Sequence, residues 1–152
     1  MFLTGDVMST LRLGSVYLDD QAFVAAVESC ELPAAQFHHA DHVRLAWIYL
    51  GQMALEEAER RIERVIRRFA GHNGVPDKYH HTITLAWTRL VAVARHTTED
   101  ARDFGEFARR NPRIFEAGTL CHHYSAQLLA SNAARAGWAD ADLCELPPFT
   151  AE

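Results

Sequence analysis

The feature that most constrains the fold is a run of regular helical periodicity at residues 54–70. Apolar side chains recur there every three or four residues, which places them on one face of a helix: Leu55, Ala58, Ile62, Val65, Ile66 and Phe69. Opposite charges stand four residues apart on the other face, in the pairs Glu56/Arg60, Glu57/Arg61 and Glu63/Arg67. The pattern predicts a solvated, salt-bridged helix that packs by its apolar stripe and ends at Gly71.

Other segments predict further helices, and none is a convincing strand. The expected helices are residues 21–28 (capped by Asp19 or Asp20 and closed by Pro33), 39–50, 78–96 (capped by Asp77), a short one capped by Thr97 or Thr98 that ends at Arg110, and pieces from Asn111 to Trp138. We expect an all-α, single-domain, irregular bundle of five to seven helices. The helical domain covers residues 19–138, after a loosely ordered or extended lead-in (1–18) and before an extended C-terminal tail packed on the domain (139–152).

Composition narrows the class of protein. The chain has 152 residues, of which 49% are apolar and 23% charged, as expected for one soluble domain with a true core. A formal charge of −5 argues against a nucleic-acid partner, and no stretch is long and apolar enough for a membrane span. The N-terminus lacks a signal-peptide pattern, and Cys30, Cys121 and Cys144 form no C-x-x-C pair. We therefore expect a cytoplasmic protein with buried, inert thiols.

Nine histidines stand out, several of them in pairs. In the segment from Phe37 to His42, helical geometry places His42 near the centre of an apolar face, with His38 and His39 within about 60° on either side. On the helix expected at residues 78–96, His80 shares the side of Trp87, whereas His81 is rotated to its edge. Both sets lie at helix starts, where the helix dipole disfavours the charged imidazolium.

Neutral imidazoles bind transition metals, so three from two helices predict a metal site with an open coordination position. The expected ligands are His39, His42 and His80, with His123 as a fourth ligand or supporting contact. The sequence leaves open whether His38 replaces His39, or whether His81 or His122 joins them. A nitrogen-rich shell suits zinc, copper, nickel or iron, and H-E-x-x-H and paired E-x-x-H motifs are absent.

The same histidines lie in motifs that resemble a group of small uncharacterised bacterial proteins. The motifs are F-x-H-x-x-H-V-x-L-A-W at residues 37–47 and K-Y-H-x-T-x-T at residues 78–84, and the similarity extends over most of the chain after residue 18. The resemblance implies no activity. It favours His39, His42 and His80 over their neighbours, and a glutamate at the position of His81 fits its pattern.

These observations predict a metal-dependent enzyme that acts on a small molecule, with Tyr79, Tyr124 or Thr84 positioning the substrate or a bound water. Redox chemistry is favoured because no glutamate stands out as a general base for hydrolysis. One alternative is a metal-free isomerase or cyclase that uses His80 as acid and base. Another is a non-catalytic binding protein whose histidines belong to the core. The metal, the substrate, the reaction and any homo-oligomer stay open.

Overall fold

The computed structural model describes residues 17–150. Residues 1–16, which make up most of the expected lead-in, and residues 151–152 lie outside the described part. Between residues 17 and 150 the chain is helical and contains no strand. Five helices have seven or more residues: α1 (Asp20–Glu28), α2 (His39–Leu50), α3 (Leu55–His72), α4 (His81–His96) and α5 (Phe104–Arg110). Three short ones follow: α6 (Gly118–Cys121), α7 (Ala126–Leu129) and α8 (Asn132–Ala136). The predicted all-α bundle is confirmed.

The helix ends agree only partly with the predicted ones. Asp19 caps α1 by accepting a hydrogen bond from the Ala22 N–H, as expected. This helix ends at Glu28, before Pro33, because Cys30 adopts a left-handed conformation with φ of 62°. Asp103, rather than a threonine, caps α5.

The largest difference lies before α4. The sequence predicts that Asp77 caps this helix, and this prediction is wrong, because Asp77 belongs to a 3₁₀ turn (Pro76–Lys78). Instead α4 begins at His81, and His80 is its N-cap residue. A proline at the first position of the 3₁₀ turn explains the separate element, because proline pre-sets the backbone for such a start.

Helix α4 is the centre of the bundle and packs against α2, α3 and α8. Its buried residues are Thr82, Thr84, Leu85, Ala86, Trp87, Thr88, Leu90, Val91 and Ala92. His39 contacts Trp87 and Trp47 contacts Arg95, so α2 and α4 run in the same direction. Consequently, both helix starts lie at one end of the bundle and both helix ends at the other.

Polar contacts on α3 differ from the predicted pairs. Of the three, only Glu63–Arg67 forms, with 3.1 Å between Oε1 and Nε. Arg61 binds Glu28 of α1 instead, and the same carboxylate accepts a hydrogen bond from Tyr49 of α2. Arg61 thus pairs with a carboxylate on another helix rather than with Glu57 on its own helix. Within the described residues, Glu56 forms no ion pair.

Residues 139–150 contain no helix and lie against the bundle. The Tyr124 hydroxyl donates to the carbonyl of Ala139 (2.9 Å), and the Phe149 ring meets the His96 ring edge-on. Cys121 and Cys144 are exposed and only Cys30 is partly buried, so the expectation of buried thiols is wrong for two of the three. No helix in residues 17–150 has the length and apolar character required to cross a membrane.

Candidate functional site: helix-start histidines and an arginine-lined cavity

His80 has both ring nitrogens in hydrogen bonds to the backbone. Its Nδ1 accepts from the Ile83 N–H at 3.2 Å, and its Nε2 donates to the Leu129 carbonyl at 2.8 Å. The imidazole is therefore the neutral Nε2–H form, which caps α4 and ties it to α7. The side chain is 7% exposed. In this arrangement His80 offers no nitrogen lone pair to a metal ion.

His39 lies at the first position of α2 and packs against Trp87, with ring centroids 4.3 Å apart. Its Nε2 donates to the carbonyl of Ile114 at 2.8 Å, which links α2 to the 3₁₀ turn Pro112–Phe115. The predicted alternative His38 is exposed and is the N-cap residue of α2. Both residues thus lie at the start of α2. Of the two ring nitrogens of His39, only Nδ1 is left for another partner.

His42 differs from these two histidines. Its Nε2 is buried and, within residues 17–150, has no hydrogen-bond partner. Burial, together with a smaller effect of the nearby His39, lowers the pKa of His42 to about 4, so the ring is neutral near neutral pH. Burial, rather than the position at the helix start, is the main reason why the His42 ring is neutral. His42 is the predicted ligand with an unused, shielded nitrogen.

His123 stands apart from this group. Its Nδ1 donates to the carbonyls of Cys144 (2.9 Å) and Glu145 (3.2 Å), so it fastens the C-terminal segment. The neighbouring His122 is exposed. Tyr124 is buried and its hydroxyl is bonded to Ala139; burial raises its pKa to about 12, with Asp140 and Asp142 adding to the rise and Arg89 opposing it.

The predicted ligands are therefore not assembled as one shell. His39 and His42 are close enough to interact electrostatically, whereas His80 and His123 are each bound to backbone carbonyls elsewhere. In residues 17–150 no group of three or more histidine, cysteine, aspartate or glutamate side chains is arranged to hold a metal ion. The metal site stays a prediction, carried by His42 and His39.

Two of the residues expected to position substrate come together. The Tyr79 hydroxyl lies 3.1 Å from Nδ1 of His81. Burial raises the pKa of Tyr79 to about 12, an effect that Glu63 strengthens and that Arg67 and Thr84 weaken. The same His81 nitrogen lies 3.6 Å from Glu63 of α3. This cluster joins α3 to the start of α4. Tyr124 is not among its contacts.

The opposite end of the α2–α4 pair contains a cavity of about 460 Å³. Its walls come from the end of α2, the start of α3, the end of α4 and the C-terminal segment: Leu50, Met53, Ala54, Leu55, Glu56, Ala92, Arg95, His96, Glu99 and Phe149. The size suits a small organic molecule, and six of the ten lining residues are apolar while the other four can carry charge.

Arg95 lines this cavity and forms no hydrogen bond or ion pair through its side chain with residues 17–150. Its Nε is buried and unbonded, and the guanidinium forms no ion pair with any described residue. The Trp47 ring lies 5.8 Å from its Cζ. Gly51 makes room for it, since a Cβ at that position would lie 2.9 Å from Nη2. The position in the last turn of α4 favours a positive charge.

Sequence reasoning missed Arg95. The spacing of Arg95 and Glu99 (i,i+4) is that of an ordinary surface pair, so the local sequence gives no reason to single out this arginine. In the structure Glu99 binds His96 instead, with 2.7 Å between Oε1 and Nδ1. Only the three-dimensional arrangement shows that Arg95 is left unpaired.

Comparison with known proteins finds no matching family model, and neither curated proteins nor solved structures give a match to this chain.

Proposed function

We propose that this chain is a small-molecule-binding protein whose cavity at the ends of α2 and α4 takes an organic acid. Arg95 binds the carboxylate of the ligand, and the apolar wall holds its hydrocarbon part. The observation that carries the proposal is Arg95, which lines this cavity and whose buried Nε has no hydrogen-bond partner among the described residues.

Energetics support a ligand at Arg95. A buried donor without an acceptor is unfavourable by about 1–3 kcal/mol, and native proteins rarely leave one unexplained. A carboxylate relieves this cost, because guanidinium and carboxylate form two parallel charge-assisted hydrogen bonds. The room at Gly51 and the contact with Trp47 hold the guanidinium in place before the ligand arrives.

The histidines fit this proposal as structural residues. His80 caps α4 and His39 fastens α2 to the Pro112–Phe115 turn. These contacts favour the alternative of a binding protein with core histidines over acid–base catalysis by His80, since both nitrogens of that ring are already bonded to the backbone.

The test is a thermal-shift titration with hexanoate, with hexan-1-ol as the uncharged probe of similar shape. A ligand that binds only the folded state raises the melting temperature with concentration. We expect hexanoate to do so and hexan-1-ol to have little effect. Arg95→Met abolishes the response, whereas Arg109→Met, an exposed arginine in the last turn of α5, retains it. An equal response of Arg95→Met and wild type contradicts the proposal.

A second candidate function is binding of a transition metal ion by His42 and His39. The unbonded, buried Nε2 of His42 favours it, because such a nitrogen is a ready metal ligand. Zinc, copper, nickel and iron are the candidates. The measurement is metal content after reconstitution, where His42→Ala loses the metal and the exposed His72→Ala keeps it. Equal metal content in the two variants rules the site out.

A further inference from the structure

We infer that the ligand of the Arg95 cavity is a zwitterion: an apolar molecule that carries an ammonium group besides its carboxylate. This inference rests on the proposed function, since it takes the carboxylate at Arg95 as given. It adds a second recognition group, the carboxylate of Glu56, and Glu99 lines the same cavity.

Opposite charges share the cavity wall without neutralising each other. Glu56 and Glu99 line the cavity with Arg95, yet neither pairs with the guanidinium. Glu99 is bound to His96, whereas Glu56 forms no ion pair within the described residues. The cavity therefore presents one unpaired cation and one unpaired anion, and a ligand with both charges satisfies the two together.

The charge balance also excludes other classes of anion. A phosphate ester or a dicarboxylate brings at least two negative charges close to Glu56 and Glu99, and like charges at short range repel. A single carboxylate with an ammonium group adds no net charge. The apolar wall, with Leu50, Met53 and Phe149, requires a hydrocarbon part. Apolar amino acids and related amino carboxylates meet all three conditions.

Three matched probes test this inference: L-phenylalanine, 3-phenylpropanoate, which lacks the ammonium group, and 2-phenylethylamine, which lacks the carboxylate. Affinity is read from the Nε–Hε resonance of Arg95 in ¹H–¹⁵N spectra, assigned by its loss in Arg95→Met. We expect phenylalanine to bind about tenfold more tightly than either analogue, because each analogue loses one charge-assisted interaction.

Variants separate the two charged ends. Glu56→Gln lowers the affinity for phenylalanine to about that for 3-phenylpropanoate and does not weaken the binding of 3-phenylpropanoate. Glu57→Gln is the matched control, because Glu57 is exposed, stands in the same helical turn and lies outside the cavity lining. It leaves all three affinities unchanged, and melting temperatures verify that each variant is folded.

The outcomes distinguish this inference from the proposed function. If 3-phenylpropanoate binds as tightly as phenylalanine, and Arg95→Met abolishes both, the zwitterion is wrong and the carboxylate site stands. Equal behaviour of Glu56→Gln and Glu57→Gln overturns the inference in the same way. A wild-type protein that binds none of the three probes also overturns the inference, and the hexanoate titration then decides the proposed function separately. The affinity of Arg95→Met for phenylalanine is measured from melting-temperature shifts. If this variant binds phenylalanine as tightly as the wild-type protein does, both proposals fail.

Discussion

The two ends of the parallel α2–α4 pair use their polar side chains in opposite ways. At the helix starts, His39 and His80 are bonded to backbone groups of other elements. At the helix ends, Arg95 lines a cavity, and its buried Nε has no hydrogen-bond partner in the described part of the chain. In this chain, an unsatisfied polar group therefore indicates a binding site better than the type of residue does. Histidines suggest metal chemistry in the sequence, but most of their hydrogen-bonding capacity is already used.

Helix polarity explains why the two ends differ. The first turn of a helix exposes N–H groups, so a neutral imidazole nitrogen serves there as an acceptor, as His80 does for Ile83. The last turn exposes carbonyl groups, whose partial negative charge favours a cation such as Arg95 at this end.

The largest expected effect follows from His80→Ala. The substitution removes the cap of a 16-residue helix, the bond to Leu129 and a buried imidazole ring. Together these losses lower the free energy of unfolding by about 4 kcal/mol. Denaturant titration measures it.

His80→Asn is the matched variant, because asparagine is a strong N-cap residue. It recovers about 1 kcal/mol by capping α4 and does not restore the bond to Leu129. If His80→Ala unfolds at the same denaturant concentration as wild type, the structural role of the helix-start histidines is wrong.

A pH effect of intermediate size is expected at His42. Its folded-state pKa of about 4 lies below the ordinary value of 6.5, so the unfolded chain takes up the proton first as the solution is acidified. The stabilising contribution is complete above pH 6.5 and is lost as the pH falls towards 4. The loss reaches about 3 kcal/mol at most.

His42→Leu removes this proton uptake, so its stability falls less steeply than that of wild type over the same pH range. The exposed His72→Leu retains the wild-type slope. Denaturation at several pH values between 7 and 4 measures both slopes, and identical slopes for His42→Leu and wild type refute the assignment.

The smallest effect on stability, with a clear effect on binding, is expected from Gly51→Ala. The added Cβ would lie 2.9 Å from Nη2 of Arg95 and pushes the flexible guanidinium aside. Hexanoate binding weakens roughly fivefold, which equals about 1 kcal/mol, while the melting temperature hardly changes. Gly71→Ala is the control, since nothing lies within 4 Å of its Cβ position. Unchanged hexanoate binding in Gly51→Ala shows that Arg95 does not depend on this space.

Periodicity made the fold predictable, whereas the exact helix starts depended on tertiary contacts. The apolar stripes of α3 and α4 follow from spacing alone, and the cap of α1 was expected at Asp19 or Asp20. The N-cap role of His80 depends on Leu129, 49 residues away in sequence, which accepts from the same ring. Local pattern therefore pointed to Asp77 instead.

The candidate site was less predictable for the same reason. Helical geometry brought His42 inward and placed it near His39, as the sequence indicated. It could not show that a ring nitrogen of His39, of His80 and of His123 is hydrogen-bonded to a backbone carbonyl. Nor could it single out Arg95, because Glu99 stands within reach of both Arg95 (i,i+4) and His96 (i,i+3) in the sequence, and the structure pairs it with His96.

The most direct test of the contrast between the two ends is one ¹H–¹⁵N titration with hexanoate that follows arginine Nε–Hε and histidine ring N–H resonances together. We expect a saturable shift of the Arg95 resonance, while the Nε2–H resonances of His39 and His80 stay in place because both are bonded to carbonyls. An unmoved Arg95 resonance, or a largest shift at either histidine, would contradict it.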